Sequence, residues 1–580
     1  MTAYVTAAAG NWSTTTNWTP NGTPGNGDTI TINHNIAVDS SRTIGTSGAT
    51  GTLGVTIATG KTLTVNAGVT LTLRCRVDVN GTGSLIMSAG SIIELDSSVA
   101  ASPSTTKYEI RVGESGHNSG ATMVINGSVG SRCTVRSNAG GGNGWINDGS
   151  VAWLGGGQVT ATYCDFQRLG DSTNPAIRTS PTSSYAFSLQ DCTFDANCGR
   201  IGGTYNLGAT CTYSMVRVNH LGSVDSGGLS MKIENGGSYT SGTRLIDQCF
   251  FNQGVSFYTP VGITVTNSVF YLGWDCTAAD FVSFTGNLTR LTSTSLAPGT
   301  QGTFTDCYWW ADDAAWSPHY LQLNSTATVT GNIFELSGSD DNGDCILIGT
   351  PGSAAAFTIT NNIVLKNTST GGSGTLFSAL GNANCTLTVD HNTYFTGAQG
   401  AAVGETYAGH SNMLSSFRSN LAWNDIGSTG FKLYDSGTND AVTNLVTANH
   451  CDYNGGYNLA TGSNLQGYNN LEISPGSAGA HDISANPTFV DSARRTSKFD
   501  LYNGGAGTLA NFRTEIAKLG TPNFNSAYAV ASLVTYVKNG FKTQSTSYKD
   551  AGHDGVTIGA MGYQSSANSN AYHLLGFRVG

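Results

Sequence analysis

The segment from Trp309 to Tyr320 combines aromatic and acidic side chains of the kind that carbohydrate sites use. Its glycan-binding candidates are Trp309, Trp310, Trp316 and Tyr320. The catalytic candidates are Asp312, Asp313 and Glu335. Two carboxyl groups roughly 5 to 9.5 Å apart can hydrolyse a glycosidic bond, and aromatic rings offer broad apolar faces to a ligand. The interpretation we favour from the sequence is nevertheless a solvated loop whose tryptophans belong to the core.

Metal ligands and cofactor motifs do not stand out, so no metal site and no cofactor are predicted. Asp340-Asp-Asn-Gly-Asp344 resembles the start of a calcium loop, but Pro351 stands where an EF-hand needs a glutamate. The twelve cysteines contain no Cys-x-x-Cys pair. Three histidines, His117, His220 and His391, occur singly and are interpreted as turn residues.

Composition predicts a packed fold of short strands. Glycine supplies 76 of the 580 residues, and charged residues make up 11% against a typical value of about 25%. The 22 Phe, 23 Tyr and 9 Trp argue against disorder. The net charge of −10 argues against a nucleic-acid partner, because phosphate binding needs clustered Lys and Arg. No apolar run of about 18 residues predicts a membrane span.

A short motif, Asn or Cys two residues before an aromatic or apolar residue, recurs along the middle of the chain. The aligned copies begin at Cys164, Cys192, Cys211, Cys249, Ser268, Asn287, Cys307, Asn332, Asn362, Asn392, Asn420 and Cys451. Such a spacing predicts a solenoid of three short strands per coil, with coils about 4.8 Å apart. The first residues then stack at a corner, where Asn amides bond each other and the backbone. The third residues stack inside, and the cysteines are small buried residues rather than disulfides.

The flanking regions are predicted to close the solenoid. Residues 1–50 are interpreted as an N-terminal cap that contains Trp12 and Trp18, residues 51–505 as the solenoid, and residues 506–580 as a C-terminal cap with closing strands. Helices are predicted at 509–519 and 527–541, because apolar residues recur there at helical spacing. The predicted fold class is therefore all-β with an N-terminal cap and short C-terminal helices.

Several stretches resemble the pectate-lyase-like superfold of right-handed parallel β-helices. The stretches are Thr330-Gly-Asn-Ile-Phe334, Val389-Asp-His-Asn-Thr-Tyr-Phe395, Asn486-Pro-Thr-Phe-Val-Asp491 and Asp554-Gly-Val-Thr-Ile-Gly-Ala560, with a start similar to the G8 module. The resemblance covers most of residues 10–565 and implies the right-handed winding. It does not define an activity, since lyases, hydrolases, adhesins and phage tailspikes share this fold. The acidic and basic residues of a pectate-lyase site cannot be matched, so no catalytic residue is carried over.

The function expected from these features is that of a bacteriophage virion-surface protein, either capsid decoration or tailspike-like. The start lacks the pattern of a secretion signal, and the cysteines suit a reducing host cytoplasm. By analogy with tailspikes we expect a homotrimer that contacts other virion proteins and host-surface polysaccharide. The absence of a recognisable particle-binding head or trimerising stem favours decoration. The alternatives are a polysaccharide hydrolase or lyase and, less favoured, a bacterial surface adhesin.

Overall fold

The structure is a computed structural model. It describes residues 2–565 with the exception of 46–52, 97–107, 114–119, 139–143, 148–156, 171–174, 179–184, 204–210, 224–227, 235–243, 259–261, 278–279, 292–299, 312–319, 337–343, 350–353, 367–375, 380–384, 397–401, 407–413, 425–431, 436–450, 458–467 and 470–480. The described chain is mostly β and forms large parallel sheets, as the all-β prediction requires. It divides into two units, residues 1–264 with 517–524 and residues 265–516 with 525–580.

The first unit contains three stacks of parallel strands. The first stack is Ala3–Thr6, Thr29–Ile32, Leu53–Ile57, Arg76–Val79, Tyr108–Val112, Gly144–Asn147, Ile177–Arg178, Ile201–Gly203, Leu229–Glu234 and Gly254–Tyr258. The second is Gly10–Asn11, Ile36–Val38, Thr62–Val65, Ser84–Met87, Thr122–Asn126, Gln158–Thr162, Tyr185–Phe194, Cys211–His220 and Arg244–Asp247. The third is Arg42–Ile44, Thr70–Leu73, Ile92–Leu95, Cys133–Ser137, Cys164–Gln167, the ends of the two ten-residue strands, and Phe250–Phe251. Trp18–Thr19 pairs antiparallel with Ala3–Thr6.

The second unit repeats this arrangement. Its first stack is the start of Leu321–Thr330, then Ile346–Ile348, Phe377–Ala379, Ala402–Thr406, Lys432–Asp435 and Tyr468–Asn469. Its second is Asp280–Thr285, Thr300–Thr305, the end of Leu321–Thr330, Ala356–Thr360, Thr386–Asp390, Leu414–Arg418 and Cys451–Asp452. Its third is Val269–Phe270, Leu288–Leu291, Tyr308–Ala311, Ile333–Leu336, Ile363–Lys366, Thr393–Thr396, Leu421–Asn424 and Gly455–Tyr457. Two further strands are Ile263–Thr266 and Trp274–Thr277.

Side-chain alternation explains why these segments are strands. In Thr62–Val65 the residues Leu63 and Val65 are buried while the threonines are partly exposed. The next strand of that stack repeats the pattern, with Leu85 opposite Leu63 and Met87 opposite Val65. Because period-2 patterns match from strand to strand, each parallel pair buries one continuous apolar face.

The structure corrects two of the aligned copies of the motif. In the first unit, the strand Cys211–His220 places Val218, not Cys211, beside Cys192. In the second unit, Asn454, not Cys451, lies against Asn420. In both cases the true position follows a residue in the left-handed region, Arg217 with φ 53° and Tyr453 with φ 60°. The sequence showed the residue types but not this backbone turn.

The beginning of the chain is also more regular than expected. Parallel pairing already starts at Ala3, which lies opposite Thr29. Trp12 and Trp18 are fully buried, with ring centroids 4.8 Å apart. The indole of Trp18 donates to the carbonyl of Trp12 at 2.9 Å, so these rings form a small core at the chain start.

Three helices follow the strands: α1 (Thr496–Tyr502), α2 (Leu509–Ile516) and α3 (Val530–Gly540). Short 3-10 turns span Thr15–Asn17, Ser526–Tyr528 and Thr546–Tyr548. The predictions at 509–519 and 527–541 are thus confirmed with shorter bounds, whereas α1 begins before the expected boundary at 506. None of the helices in the described part of the chain is long and apolar enough to cross a membrane.

The helices lie along the side of the second unit's third stack, where the sequence led us to expect a cap over an end. Phe512 of α2 contacts Trp310, with ring centroids 5.9 Å apart, and Phe541 contacts Phe395 at 5.3 Å. All four residues of Tyr308–Ala311 are buried. A strand that is apolar on both faces needs a cover on each, and the helices supply the outer one.

Candidate functional site

The aromatic candidates of the predicted glycan site lie in the protein interior. Trp309 is stacked between Phe284 at 5.6 Å and Phe334 at 6.0 Å. Trp310 and Tyr320 are likewise buried. Because these three rings have almost no accessible surface, a sugar cannot stack on them. Packing in the interior explains why aromatic residues occupy these positions. Asp312, Asp313 and Trp316 lie outside the described residues, as do Asp340 and Asp341.

Glu335, the third catalytic candidate, is buried and fastens α1 to the strand stack. Glu335 is only 1% exposed and is thus as buried as the core residues around it. Its carboxylate accepts hydrogen bonds from the Tyr308 hydroxyl and from the Thr496 hydroxyl at 2.8 Å and amide at 3.2 Å. Burial and this neighbouring carboxylate hold the pKa of Tyr308 well above its usual value. A carboxylate at the start of a helix, with three donors, is a structural anchor.

The corner of the third stack holds a continuous ladder of buried asparagines. Asn332 donates through Nδ2 to Oδ1 of Asn362 at 3.0 Å, and Asn362 does the same to Asn392 at 3.0 Å. Asn420 and Asn454 continue the series. Each Nδ2 also donates to a carbonyl of the strand before, such as Phe304 for Asn332. The predicted amide ladder is therefore confirmed.

Cysteine fills the same position with the same hydrogen bonds. The thiol of Cys307 donates to the carbonyls of Phe284 at 3.2 Å and Thr305 at 3.3 Å. Burial raises the pKa of Cys307 to about 12, although the Asn287 amide opposes this by hydrogen bonding to the sulfur. The nine cysteines whose side chains the structure describes are buried and form no disulfide. Burial raises the pKa of the Cys192, Cys249 and Cys307 thiols, which disfavours the thiolate that nucleophilic attack and metal binding require.

A row of left-handed residues lies immediately before the ladder. Asn361 (φ 57°), His391 (φ 58°) and Ser419 (φ 56°) precede Asn362, Asn392 and Asn420, and the partly exposed Tyr453 precedes Asn454. Non-glycine residues adopt this conformation rarely. Here the ladder on one side and the strand hydrogen bonds on the other fix it.

His391 of this row and two residues beside it, His553 and Asp554, could hold a metal ion. The donor atoms of His391, His553 and Asp554 lie within 4.8 Å of one another. Nε2 of His391 is 3.1 Å from Oδ2 of Asp554, and the two imidazole centroids are 5.4 Å apart. Burial alone would raise the pKa of Asp554, but the His391 ring and the Val556 amide outweigh it and hold that pKa below its usual value.

A tight turn of the C-terminal segment carries two of these residues. The amide of Gly552 donates to the carbonyl of Val556 at 2.6 Å, which closes the turn. A Cβ at Gly552 would lie 2.9 Å from the Ser419 hydroxyl, so the close approach requires glycine. The Ser419 hydroxyl accepts from the His553 amide at 3.1 Å and lies 3.0 Å from His553 Nδ1. The turn is thus seated on the left-handed row.

A second histidine–aspartate pair, His481 with Asp452, lies beside the pair of His391 and Asp554. His481 stacks on Tyr453 with centroids 4.3 Å apart and planes 7° apart. Its Nδ1 is 2.8 Å from the carboxylate of Asp452. Burial would raise the pKa of Asp452, but the side chain and amide of His481 lower it below its usual value. Tyr453 also reaches His553, with centroids 6.4 Å apart, so the two pairs are neighbours.

Sequence reasoning missed the group formed by His391, His553 and Asp554. It treated His391 as an isolated turn residue and Asp554 as part of a closing motif, because 160 residues or more separate them in the chain. The available signal was the position of His391 directly before a ladder asparagine, since that position faces outward at a corner.

Comparison of the chain with protein-family models, with curated proteins and with solved structures gives no match.

Proposed function

We propose that the chain is a parallel β-helix that serves as a rigid structural protein of a bacteriophage virion surface, as capsid decoration or a tailspike-like fibre. The observation that carries this proposal is the buried ladder of asparagine and cysteine. Its asparagine amides and cysteine thiols donate to strand carbonyls or to the next ladder residue, so they are committed to holding the repeats together, which is a property of a scaffold.

The pairing pattern supports the winding part of the proposal. In the N-terminal part, Thr62–Val65, Ser84–Met87 and Thr122–Asn126 pair in parallel although two other strands separate each from the next along the chain. Three stacks built in this way are what coils of three strands produce. Parallel strands about 4.8 Å apart then place each repeat over the one before.

Two observations favour a structural role over a catalytic one. The catalytic candidate Glu335 is buried and holds Thr496, and the aromatic candidates Trp309 and Trp310 are packed against other rings. The nine described cysteines are buried and form no disulfide, which fits a protein that folds in a reducing cytoplasm before it joins a particle. On this proposal the chain forms a homotrimer, contacts other virion proteins and faces host-surface polysaccharide.

Mass spectrometry of purified particles from a lysate of cells that carry the gene tests the location. Peptides of this chain are expected to co-purify with the particles at a stoichiometry typical of a structural component. Their absence from the particles would overturn the virion assignment.

Light scattering coupled to gel filtration tests the assembly, with an expected mass of three times the 60.1 kDa chain. A polysaccharide depolymerisation assay on the same preparation is expected to show no turnover. Release of oligosaccharides by pure protein would instead favour the hydrolase or lyase alternative.

A further inference from the structure

The group formed by His391, His553 and Asp554 combines the donor types that transition metals prefer. Two imidazole nitrogens and one carboxylate oxygen match a catalytic-type zinc site with three protein ligands and an open fourth position. Calcium and magnesium prefer all-oxygen shells, so this set favours the zinc class. The three donors lie within 4.8 Å of one another.

We propose that His391, His553 and Asp554 bind a divalent transition-metal cation of the zinc class, which fastens the C-terminal turn to the corner of the strand stack. This site is independent of the virion role, since it depends on local geometry within one part of the chain.

One donor–donor distance already suits such a site. Neighbouring donor atoms in a tetrahedral zinc site with bonds of about 2.0 to 2.1 Å are about 3.3 Å apart. His391 Nε2 and Asp554 Oδ2 are already 3.1 Å apart. The carboxylate side chain of Asp554 is 45% exposed, so rotation of this side chain can bring its oxygen to a shared ion without disturbing the core.

The surroundings orient the donors as an outer shell of a metal site does. The Ser419 hydroxyl lies 3.0 Å from His553 Nδ1, which leaves Nε2 of that ring for the metal. The Val556 amide donates to Oδ1 of Asp554 at 3.3 Å, which leaves Oδ2 beside His391. Ligating histidines commonly bond their second nitrogen in this way.

One ligand is rigid and two lie on a turn, so the ion would act as a clamp. The amide of His391 donates to the Arg418 carbonyl at 3.0 Å, and the next residue, Asn392, belongs to the buried ladder. His553 and Asp554 lie on the turn closed by Gly552 and Val556. A metal bond between these parts joins residues that are brought together only in the folded chain, so the free energy of metal binding adds to the stability of the fold.

The test is metal titration of the untagged full-length chain after chelator treatment. Co²⁺ is expected to give the visible absorption of a low-symmetry nitrogen and oxygen site at one equivalent, and Zn²⁺ is expected to displace it in calorimetry. Zn²⁺ is also expected to raise the unfolding temperature and to reduce proteolysis or hydrogen exchange across 548–560, whereas Ca²⁺ is not.

Variants separate this site from adventitious binding. His553→Ala and Asp554→Asn, both on the turn, are expected to weaken Co²⁺ binding at least tenfold, and Ser419→Ala by roughly tenfold because it removes an outer-shell partner. His481→Ala, a neighbouring histidine outside the donor set, is the matched control and is expected to bind normally. Absence of one-equivalent binding to the parent chain, or binding by folded His553→Ala equal to that of the parent, would overturn the proposal.

Discussion

At the scale of single residues, the ladder shows how cysteine and asparagine serve one position. Asn332 uses Nδ2 to reach a carbonyl of the previous strand and one two residues back, and Cys307 reaches the equivalent two carbonyls with its thiol. Both residues are small, buried and able to donate. The sequence predicted this equivalence because the two types alternate within one motif.

Removal of one amide from the ladder is expected to destabilise the protein strongly. Asn362 accepts from the amide and Nδ2 of Asn332 and donates to Val329 and Asn392. Asn362→Ala leaves several buried polar groups without partners, at about 1 to 3 kcal/mol each. We expect the free energy of unfolding to fall by about 3 kcal/mol or more. Calorimetry should show this as a lower unfolding midpoint.

The adjacent outward position provides the control for this change. Asn361 has φ 57°, a conformation that glycine adopts without strain, and its side chain is exposed. Asn361→Gly is expected to shift the midpoint by less than a third of the Asn362→Ala effect. Equal effects at the two positions would contradict the ladder's role.

The buried thiols are expected to be unreactive in the folded protein. Burial raises the pKa of Cys192, Cys249 and Cys307 to about 12, against 9.0 for an ordinary thiol. Because the folded pKa is raised, this contribution to stability is complete below pH 9 and is lost as the pH rises toward 12. Iodoacetamide at pH 8, followed by peptide mapping, should label these three thiols in denaturant and spare them in the native protein. Rapid native labelling would show that the corner opens.

At the scale of elements, the third stack of the second unit explains why the aromatic segment resembled a binding site. In Tyr308–Ala311 successive residues point to opposite faces, so Trp309 enters the core while Trp310 points outward. An outward Trp beside acidic residues resembles a sugar platform in the sequence alone. The residue that covers it, Phe512, lies some two hundred positions later, and no local pattern reveals that contact.

Loss of the Glu335 carboxylate is expected to loosen α1. Glu335→Gln removes the charge that accepts from Thr496 and Tyr308, and hydrogen bonds to a charged group contribute about 1.5 to 3 kcal/mol. Hydrogen exchange of 496–502 is expected to increase by at least tenfold.

An exposed carboxylate elsewhere in the C-terminal segment controls for charge. Asp550→Asn changes a residue that is exposed and left-handed, a conformation that Asn tolerates. Exchange at 496–502 should then match that of the parent chain. An unchanged exchange rate in Glu335→Gln would mean that α1 is held by its apolar contacts alone.

At the scale of the whole molecule, repetition made the strands predictable and long-range docking made the rest unpredictable. Alternation in Thr62–Val65 and Thr70–Leu73 predicted those strands as they are found. The motif placed most corners correctly, and it failed at Cys211 and Cys451 because the left-handed turn that defines a corner has no fixed residue type. The histidine group depends on where the C-terminal turn docks, which no local pattern encodes.

Removal of residues 481–580 is expected to expose the outer face of the third stack. Trp310 and Phe395 would lose Phe512 and Phe541, and large exposed apolar patches promote association. The truncated chain should bind more of a hydrophobic dye and form higher oligomers in gel filtration than the full chain. A soluble truncated chain with parent-like dye binding would mean that the helices are not needed as a cover.

The left-handed row beside the ladder is a set of positions whose side chains can change one residue at a time. In the second unit its members are Asn267, Gly286, Asp306, Gly331, Asn361, His391, Ser419 and Tyr453, and Ser419 is buried beneath the C-terminal turn. Because the strands are parallel, neighbouring residues of the row are about 4.8 Å apart. The buried ladder residues stay the same when the side chains of the row change. Single substitutions in this row can therefore give the corner new recognition chemistry while the ladder residues stay unchanged. Asn, Asp, Gly and His are the residue types best suited to its backbone.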